Sequence, residues 1–404
     1  MSLGATVRQM GQASAPRSSQ PGAAAQSSGA LTAAIHAALA GAGTARLAAG
    51  ARRLTATYRS GESPTAPVLA TEADAAAYAA YRMPATAAAT ALALQQARLS
   101  LPAWRPTTLL DLGAGTGSVA WAAAAQLPTV RAMTLLEQSA AAISVGRAIL
   151  EAAEALGLAG SSAGSSRRVL AAGPPAPRSV TFRTWRLPAG QPDVDQAASA
   201  GLRSQPDELP AADLVTVSYL LGELTDAQQG VLVALVVRAA PAIVLVEPGT
   251  PAGHRRILLA RERLLASGYQ LAAPCPHAAE CPLAAVGDWC HFAARLPRST
   301  VHRQVKSAEL GYEDEKFSYV AAVRPDLLGP GSPPDPVLPA GRIVRRPQQR
   351  KNLVTLEVCR RDGTAGPELI GKSARDTYRE ARKSSWGDRW EHLPPCRDSG
   401  PASG

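Results

Sequence analysis

The chain has 404 residues, which exceeds a typical single compact core and favours two or three domains. Hydrophobic residues make up 46% of the composition but aromatic residues only 4%, and alanine is abundant, so we expect a helix-rich core. The 42 lysines and arginines against 32 acids give a net charge of +10, which favours an anionic partner such as nucleic acid, and no apolar run is long enough to predict a membrane span.

The N-terminal part of the chain predicts a tail followed by helices. The first 30 residues contain no acids and are rich in serine, glycine, alanine and proline, which predicts a disordered tail; a transit peptide is the alternative, although it usually carries more arginine. No apolar secretory core is present, so we expect the cysteines to lie in a reducing compartment. Residues 31–100 predict a helical region, in which Pro84 should kink or split a helix from Glu72 to Leu99.

From residue 107 onward, short apolar strands alternate with helices. This alternation predicts βαβ units and a mostly parallel sheet with helices on both faces. We therefore predict an α/β, Rossmann-like domain over residues 101–273. Its predicted strands are TTLLDL (107–112), RAMTLLEQ (131–138), SVTFRTW (179–185), DLVTVSYLL (213–221), PAIVLVEPG (241–249) and YQLAAP (269–274).

The alternation is lost after residue 273. Residues 274–362 predict a separate cysteine- and arginine-rich lobe, with strands at FSYVAAVR (317–324) and NLVTLEVCR (352–360). Residues 363–404 have a mixed polar composition and predict a tail, with a helix around residues 369–383 as its only element.

The segment LLDLGAGTG predicts a nucleoside site, because it follows a strand and precedes a helix. Glu137 ends the next predicted strand and can accept hydrogen bonds from ribose hydroxyls, and Asp111 ends the strand before the loop. The dinucleotide fingerprint GxGxxG would need a glycine at Ser118. We therefore predict S-adenosylmethionine and a class I methyltransferase fold; a nicotinamide or flavin site, or a glycine turn without a ligand, are the alternatives. The glycines have GxGxG spacing: Gly113, Gly115 and Gly117.

The fourth predicted strand continues into YLLGEL, the place where methyltransferases carry their reactive motif. It contains no NPPY-type tetrad and no cysteine nucleophile. Tyr219 and Glu223 are weak catalytic candidates at the carboxyl end of this strand, where ligands of open α/β sheets bind. Termination of the strand and capping of the next helix would explain them equally well, so the catalytic residues stay unassigned.

Three cysteines lie in CPHAAECPLAAVGDWCHF with spacing C-x5-C-x8-C: Cys275, Cys281 and Cys290. A fourth ligand can come from Cys359, which lies in a predicted strand, or from Cys396 in the polar tail. Four thiolates from separated segments suit an iron–sulfur cluster or zinc. Structural zinc usually shows tight CxxC pairs, which are missing here, and unligated buried thiols are the third possibility.

The segment RIVRRPQQRKNLVTLEVCRR predicts a phosphate-binding surface. It holds seven basic residues and one acid, and it contains Cys359. A solvated face without a partner is the alternative, whereas the net positive charge of the chain favours contact with an RNA backbone. The basic residues are Arg342, Arg345, Arg346, Arg350, Lys351, Arg360 and Arg361.

Four segments resemble the methyltransferase-like protein 17 family, which comprises mitochondrial small-ribosomal-subunit proteins and their bacterial relatives. These segments are AYAAYRMPAT (77–86), LLDLGAGTGSVAWAA (109–123), the CPHAAECPL and WCHF block, and RIVRRPQQRKNLVTLEVC (342–359). The resemblance implies S-adenosylmethionine binding at the glycine loop and Glu137. It also implies a structural [4Fe-4S] cluster on the three clustered cysteines and Cys359, with zinc as the alternative, and action on small-subunit ribosomal RNA.

The resemblance leaves three hypotheses for the function. They are an RNA methyltransferase, a non-catalytic assembly factor that docks on ribosomal RNA, and a zinc-binding nucleic-acid protein. The expected partners are small-subunit ribosomal RNA and ribosome assembly intermediates, with a monomeric protein away from the ribosome. The alanine- and arginine-rich composition is typical of a high-GC bacterium, which predicts a cytoplasmic location; a eukaryotic source would place the protein in the mitochondrial matrix.

Overall fold

The computed structural model describes residues 21–60, 68–158, 168–169, 178–188, 208–298, 311–328 and 337–392. Four helices come first: α1 (Pro21–Ala38), α2 (Thr44–Ser60), α3 (Glu72–Tyr81) and α4 (Met83–Ser100). The split expected at Pro84 is confirmed, since this proline lies in the first turn of α4, where its missing N–H costs nothing. The tail predicted over residues 1–30 is corrected at residues 21–30, which are helical because alanine has the highest helix propensity. Residues 1–20 lie outside the described part.

A nine-stranded sheet forms the centre of the described molecule, in the order β3-β4-β2-β1-β5-β6-β9-β7, with β8 paired to β9. The pairs β4-β2, β2-β1, β1-β5 and β5-β6 are parallel, which confirms the predicted Rossmann-like arrangement. The elements are β1 (Thr108–Leu112), α5 (Ser118–Gln126), β2 (Ala132–Glu137), α6 (Ala140–Ala155), β3 (Arg168–Val169), β4 (Ser179–Thr184), β5 (Leu214–Ser218), α7 (Asp226–Ala239), β6 (Ala242–Pro248), α8 (Pro251–Ala266), β7 (Gln270–Ala273), α9 (Pro282–Ala285), β8 (Phe292–Pro297) and β9 (Tyr312–Val323).

The predicted domain boundary at residue 273 is wrong. Strand β9 lies between β6 and β7 and pairs antiparallel with both, from Ala242 opposite Val323 to Pro248 opposite Phe317. Strand β8 adds to the far half of β9. The α/β domain therefore extends at least to Val323. The cysteine segment between β7 and β8 is a connection within this domain.

Helices cover both faces of the main sheet, and each face has its own apolar core. On one face, Leu94 of α4, Trp121 of α5 and Ile149 of α6 are buried with Leu135 of β2. On the other face, α7 and α8 pack against β5 and β6. The N-terminal helices thus belong to the α/β domain, because α4 packs directly on the sheet. None of the described helices combines the length and the apolar character needed to cross a bilayer.

A second, five-stranded sheet follows the first: β10 (Gly341–Ile343), β11 (Gln348–Arg350), β12 (Leu353–Arg360), β13 (Ala365–Gly371), α10 (Arg375–Ala381) and β14 (Arg389–Trp390). Ile343, Val358 and Trp390 are fully buried in its core. The polar tail predicted from residue 363 is therefore corrected up to residue 392. β13 pairs along β12. The helix predicted from residue 369 begins only at Arg375, because residues 369–371 belong to the ladder between β12 and β13.

Candidate functional site

The glycine loop turns sharply between β1 and α5. Its three glycines, Gly113, Gly115 and Gly117, have φ of +68°, +55° and +89°, a region that side chains disfavour. The N–H groups of Gly113 and Ala114 both donate to Leu136 O, at 2.9 and 3.0 Å. A Cβ on Gly113 would lie 2.8 Å from Leu220 Cδ2. The loop therefore needs glycine both for its backbone conformation and for its close packing.

Glu137 fastens this loop to the carboxyl end of β2. Its Oε2 accepts a hydrogen bond from Gly115 N at 2.8 Å, and its Oε1 accepts one from Ser139 N at 2.8 Å. Each carboxylate oxygen has a further lone pair, so Glu137 can still accept hydrogen bonds from a ligand. The structure thus brings together the glycine loop and the carboxylate that the sequence singles out.

Asp111 lies near the end of β1, as predicted, and its side chain is buried. Its side chain is 1% exposed and accepts a 2.7 Å hydrogen bond from Thr216 Oγ1 of β5. Burial raises the pKa of Asp111 to about 8, although the hydrogen bond from Thr216 lowers it. The negative charge of Glu137 also raises this pKa. Because the Asp111 side chain is enclosed and bound to β5, it supports the loop from beneath, and its contact with a cofactor stays a prediction.

The N-terminal region forms a wall over the glycine loop. Leu69 and Tyr78 are the nearest groups to the Cβ position of Gly115, both at 3.9 Å. Ser139 Oγ donates to Leu69 O at 2.5 Å, and Ser144 Oγ donates to Glu72 Oε1 at 3.0 Å. Glycine spacing alone does not reveal this wall. The one signal for it is the segment 77–86, which contains Tyr78.

Tyr219 and Glu223, the weak catalytic candidates, lie beyond β5. Tyr219 has a φ of +61°, and its hydroxyl donates to Glu315 Oε1 of β9 at 2.9 Å. Glu315 is also bound by both terminal nitrogens of Arg82, at 2.8 and 3.0 Å. Burial raises the pKa of Glu223 to about 8, and the charges of Glu137 and Glu247 raise it further. The Tyr219 hydroxyl is thus engaged in a buried polar cluster.

Four cysteines converge on one cavity, although they come from separate segments. Cys275 follows β7, Cys281 precedes α9 and Cys290 precedes β8, whereas Cys359 comes from β12 of the second sheet. All four are free thiols. Cys396, the other candidate for the fourth ligand, lies outside the described residues. The convergence of Cys359 with the other three follows from the packing of the second sheet against the α/β domain.

Buried cations and a histidine surround the thiols. Arg261 and Arg342 line the same cavity with 4% and 1% exposure, and His277 Nε2 lies 3.4 Å from Cys359 Sγ. Burial raises the pKa of Cys359 to about 12 and that of Cys290 well above its usual value, and neighbouring thiols raise both further. The thiols of Cys290 and Cys359 are therefore neutral in the free site, next to cations that match the charge of thiolates.

The thiols surround a cavity and do not meet at one point. Among the described residues, no three His, Cys, Asp or Glu side chains are arranged to hold a single metal ion. Structural zinc needs four ligands at about 2.0–2.3 Å from one ion, whereas a [4Fe-4S] cluster binds thiolates through different irons and so needs a wider space. The four thiols are donors that either group accepts, so the cavity is a candidate metal centre.

The predicted basic surface is divided by the fold. Arg342 cannot reach a partner, because it is buried and donates to Pro274 O, Gln96 Oε1 and Gly387 O. Its assignment to RNA contact is corrected. Arg345 pairs with Asp288 at 2.5 Å and Arg360 with Glu368 at 3.0 Å. Four of the seven basic side chains predicted for RNA contact are exposed: Arg346, Arg350, Lys351 and Arg361.

Comparisons with known proteins place these features in a family. The model described as mitochondrial small ribosomal subunit Rsm22 matches residues 72–171 and 186–391. The human protein named ribosome assembly protein METTL17, mitochondrial, is 30% identical over 338 residues, covering 80% of this chain and 64% of the human protein. Rsm22-cox11 tandem protein 2, mitochondrial, of Schizosaccharomyces pombe is 28% identical over 194 residues, covering 40% of this chain and 26% of the relative. The chain spans less than two thirds of either relative.

Solved structures give only a weak similarity. The precorrin-6y C5,15-methyltransferase of Geobacter metallireducens has a TM-score of 0.32 at 16% identity, covering 58% of this chain and 87% of that one, and carries no argument about function. The family model, in contrast, covers more than half of the chain and extends over both sheets. The chain therefore belongs to the family described as mitochondrial small ribosomal subunit Rsm22, in agreement with its resemblance to methyltransferase-like protein 17.

Proposed function

We propose that this protein binds S-adenosylmethionine at the glycine loop and acts in the assembly of the small ribosomal subunit by docking on its RNA. One observation carries the proposal: the family match spans the glycine loop, the cysteine cavity and the second sheet. The human relative is named a ribosome assembly protein, which supports the same role here. If the source is bacterial, this role places the protein in the cytoplasm, and in a eukaryote it would lie in mitochondria.

The residues around the glycine loop support S-adenosylmethionine over a dinucleotide. Glu137 lies beside the loop, and the charges of Glu137 and Glu223 influence each other. S-adenosylmethionine carries a sulfonium and an ammonium group, which carboxylates attract. Ser118, where a dinucleotide site would have its third glycine, begins α5.

The surroundings of Tyr219 support docking over catalysis. A methyl acceptor would enter at the carboxyl end of β5. There the Tyr219 hydroxyl is bound to Glu315, and the carboxylate of Glu315 is paired with Arg82. A nucleotide that used Tyr219 would have to break this buried network, and breaking such a network is costly. We therefore place the non-catalytic assembly factor ahead of the active methyltransferase.

A structural [4Fe-4S] cluster on Cys275, Cys281, Cys290 and Cys359 is part of the proposal. Bound there, the cluster would supply iron–thiolate bonds that join β12 to the segments around α9. Arg261 and Arg342 would balance the charge of the thiolates. Zinc is the alternative occupant.

Methyl transfer and RNA association separate the docking role from catalysis. Purified protein is incubated with labelled S-adenosylmethionine and either naked small-subunit RNA or immature subunits. We expect saturable cofactor binding and co-sedimentation with immature subunits, without label in the RNA. Label in the RNA would establish the enzyme instead, and a lack of both binding activities would refute the proposed function.

The occupant of the cysteine cavity is tested by anaerobic purification with iron, sulfide and zinc analysis. We expect a brown protein that absorbs at about 400 nm, as iron–sulfur clusters do. Cys281→Ser should lose this absorbance and much of the soluble yield, whereas Cys396→Ser, the matched control, should keep both. Stoichiometric zinc without iron, or full colour in Cys281→Ser, would overturn the ligand assignment.

A further inference from the structure

The far end of the second sheet carries a dense group of exposed basic side chains. Arg350 ends β11, and the turn to β12 consists of Lys351 and Asn352, whose φ is +60°. We name the group the turn–helix patch; it comprises Arg350, Lys351, Lys372, Arg375, Arg382 and Lys383, all of which are exposed. The last four lie in the segment that the sequence predicts as a tail.

Backbone contacts bring these residues to one end of the sheet. Leu353 of β12 lies opposite Gly371 of β13, and Lys372 N donates to Asn352 O at 3.0 Å. Gln349 Nε2, on the strand before the turn, donates to Arg382 O at 2.9 Å. The turn, Lys372 and the C-terminal end of α10 are therefore neighbours.

The charges of the patch are not neutralised by the protein that surrounds it. Within the described ranges, none of its six side chains takes part in an ion pair. The acids of α10 have other partners, since Asp376 pairs with Arg379 at 2.9 Å and Glu380 lies 2.8 Å from His392. Such a concentration of unpaired positive charge attracts a polyanion.

The side chains around the patch favour double-helical RNA over single strands. Proteins bind single strands largely by stacking bases on exposed aromatic rings. Here the aromatic residues of the second sheet face inward, with Trp390 fully buried and Tyr378 packed against its core. Lysine and arginine without exposed rings can contact the phosphates and hydroxyls of an RNA duplex without reading its sequence.

The patch is also remote from the cysteine cavity. Strand β12 runs from Leu353, beside the turn, to Cys359, six residues further, which corresponds to about 20 Å. Changes in the patch should therefore leave the cysteine cavity intact.

We propose that the turn–helix patch binds the phosphate backbone of double-helical RNA. The inference rests on the proposed function, because it names the surface and the kind of RNA through which the protein would dock on the small subunit. The patch thus adds four residues of the predicted tail to Arg350 and Lys351 of the surface that the sequence predicts.

The test compares two triple variants with equal loss of charge. The patch variant is Lys351→Gln, Lys372→Gln and Arg382→Gln. The control is Arg52→Gln, Arg238→Gln and Arg255→Gln, which changes exposed arginines of α2, α7 and α8 in the α/β domain. Fluorescence anisotropy measures binding to a labelled RNA duplex of mixed sequence, and to each of its single strands, over a range of salt concentrations.

We expect the patch variant to bind the duplex about tenfold more weakly or worse. The magnitude of the slope of log K against log salt should fall by about 2–3, because each lost phosphate contact lowers that slope by about 0.9. The control should keep both values, and all variants should melt as the wild type does. Equal losses in both variants would overturn the inference, as would a patch variant that loses binding to phosphatidylglycerol vesicles but not to the duplex. A wild-type protein that binds neither RNA nor immature subunits would refute the proposed function itself.

Discussion

Gly115 lies at the centre of the proposed cofactor pocket, which makes it the most direct test of that pocket. Its φ of +55° suits glycine, and its N–H binds Glu137. Gly115→Arg would place a long side chain between the loop and Tyr78, so we expect S-adenosylmethionine binding to disappear in calorimetry while the absorbance of the cysteine site is kept.

A matched control separates backbone strain from loss of the pocket. Gly157 also has a left-handed φ, +68°, but no atom lies within 4 Å of its Cβ position. Gly157→Arg should cost a similar strain of about 1 kcal/mol and leave the cofactor affinity unchanged. Equal cofactor affinity in the two variants would show that the ligand does not bind at this loop.

Glu223 gives the cofactor affinity a pH dependence. Burial raises its pKa to about 8, so the free protein holds this carboxyl protonated at neutral pH. A bound sulfonium cation favours the carboxylate, so binding releases a proton and the affinity should increase as the pH rises toward 8 and then level off. Each unit by which binding lowers this pKa corresponds to about a tenfold change.

Calorimetry in buffers of different ionisation enthalpy measures this proton release directly. Glu223→Gln cannot ionise, so its affinity should vary much less over the same pH range. If the variant and the wild type show the same pH dependence, another group is responsible.

At the scale of single residues, local motifs predict the site well and remote packing does not. The glycine loop and Glu137 can be found because strand, loop and helix follow one another in sequence. Arg342 is misjudged for the opposite reason. Its burial depends on partners at Gln96, Pro274 and Gly387, and a run of basic letters does not indicate which arginine turns inward.

The ion pair between Arg82 and Glu315 connects two elements that are far apart in sequence. Arg82 lies between α3 and α4, and Glu315 lies on β9. We expect a double-mutant cycle with Arg82→Met and Glu315→Gln to give a coupling energy of about 1–3 kcal/mol in urea unfolding, because the pair is largely buried and bidentate.

The Tyr219 hydroxyl provides an internal comparison for this cycle. Tyr219→Phe removes one neutral donor to Glu315, so it should cost less than Arg82→Met does, about 1 kcal/mol. A coupling energy near zero between Arg82 and Glu315 would mean that the helices are held on the sheet by apolar packing alone.

Whole elements could be predicted wherever strand and helix alternate. From β1 to α8 the hydrophobic period changes with each element, and the structure confirms that order. β8 and β13 were missed, because alternating burial over only 6 and 7 residues is difficult to distinguish from a loop. The position of β9 between two earlier strands could not be predicted either, since it is decided by pairing over long sequence separation.

For the molecule as a whole, the C-terminal segment decides whether the second sheet exists. Ending the chain at Asp362 removes β13, α10 and β14, and with them the longest pairing of β12 and the buried Trp390. We expect this sheet to unfold and the colour of the cysteine site to be lost, while the α/β domain still melts cooperatively in circular dichroism.

The control for this truncation ends at His392. It retains every element described in the second sheet, so it should keep both the colour and the melting behaviour of the full chain. If the shorter protein ending at Asp362 stayed coloured and resisted proteolysis between residues 337 and 362, Cys359 would be held by something other than its neighbouring strands.

The central position of β9 has a consequence for folding of the chain during its synthesis. On a translating ribosome, β6 and β7 leave the exit tunnel first, yet they cannot meet, because the strand that belongs between them has not been synthesised. Until Val323 has emerged, the nascent sheet presents an open edge of the kind that invites aggregation. The three thiols at 275, 281 and 290 emerge before residue 359, so the cysteine cavity can be completed only after most of the chain has been synthesised.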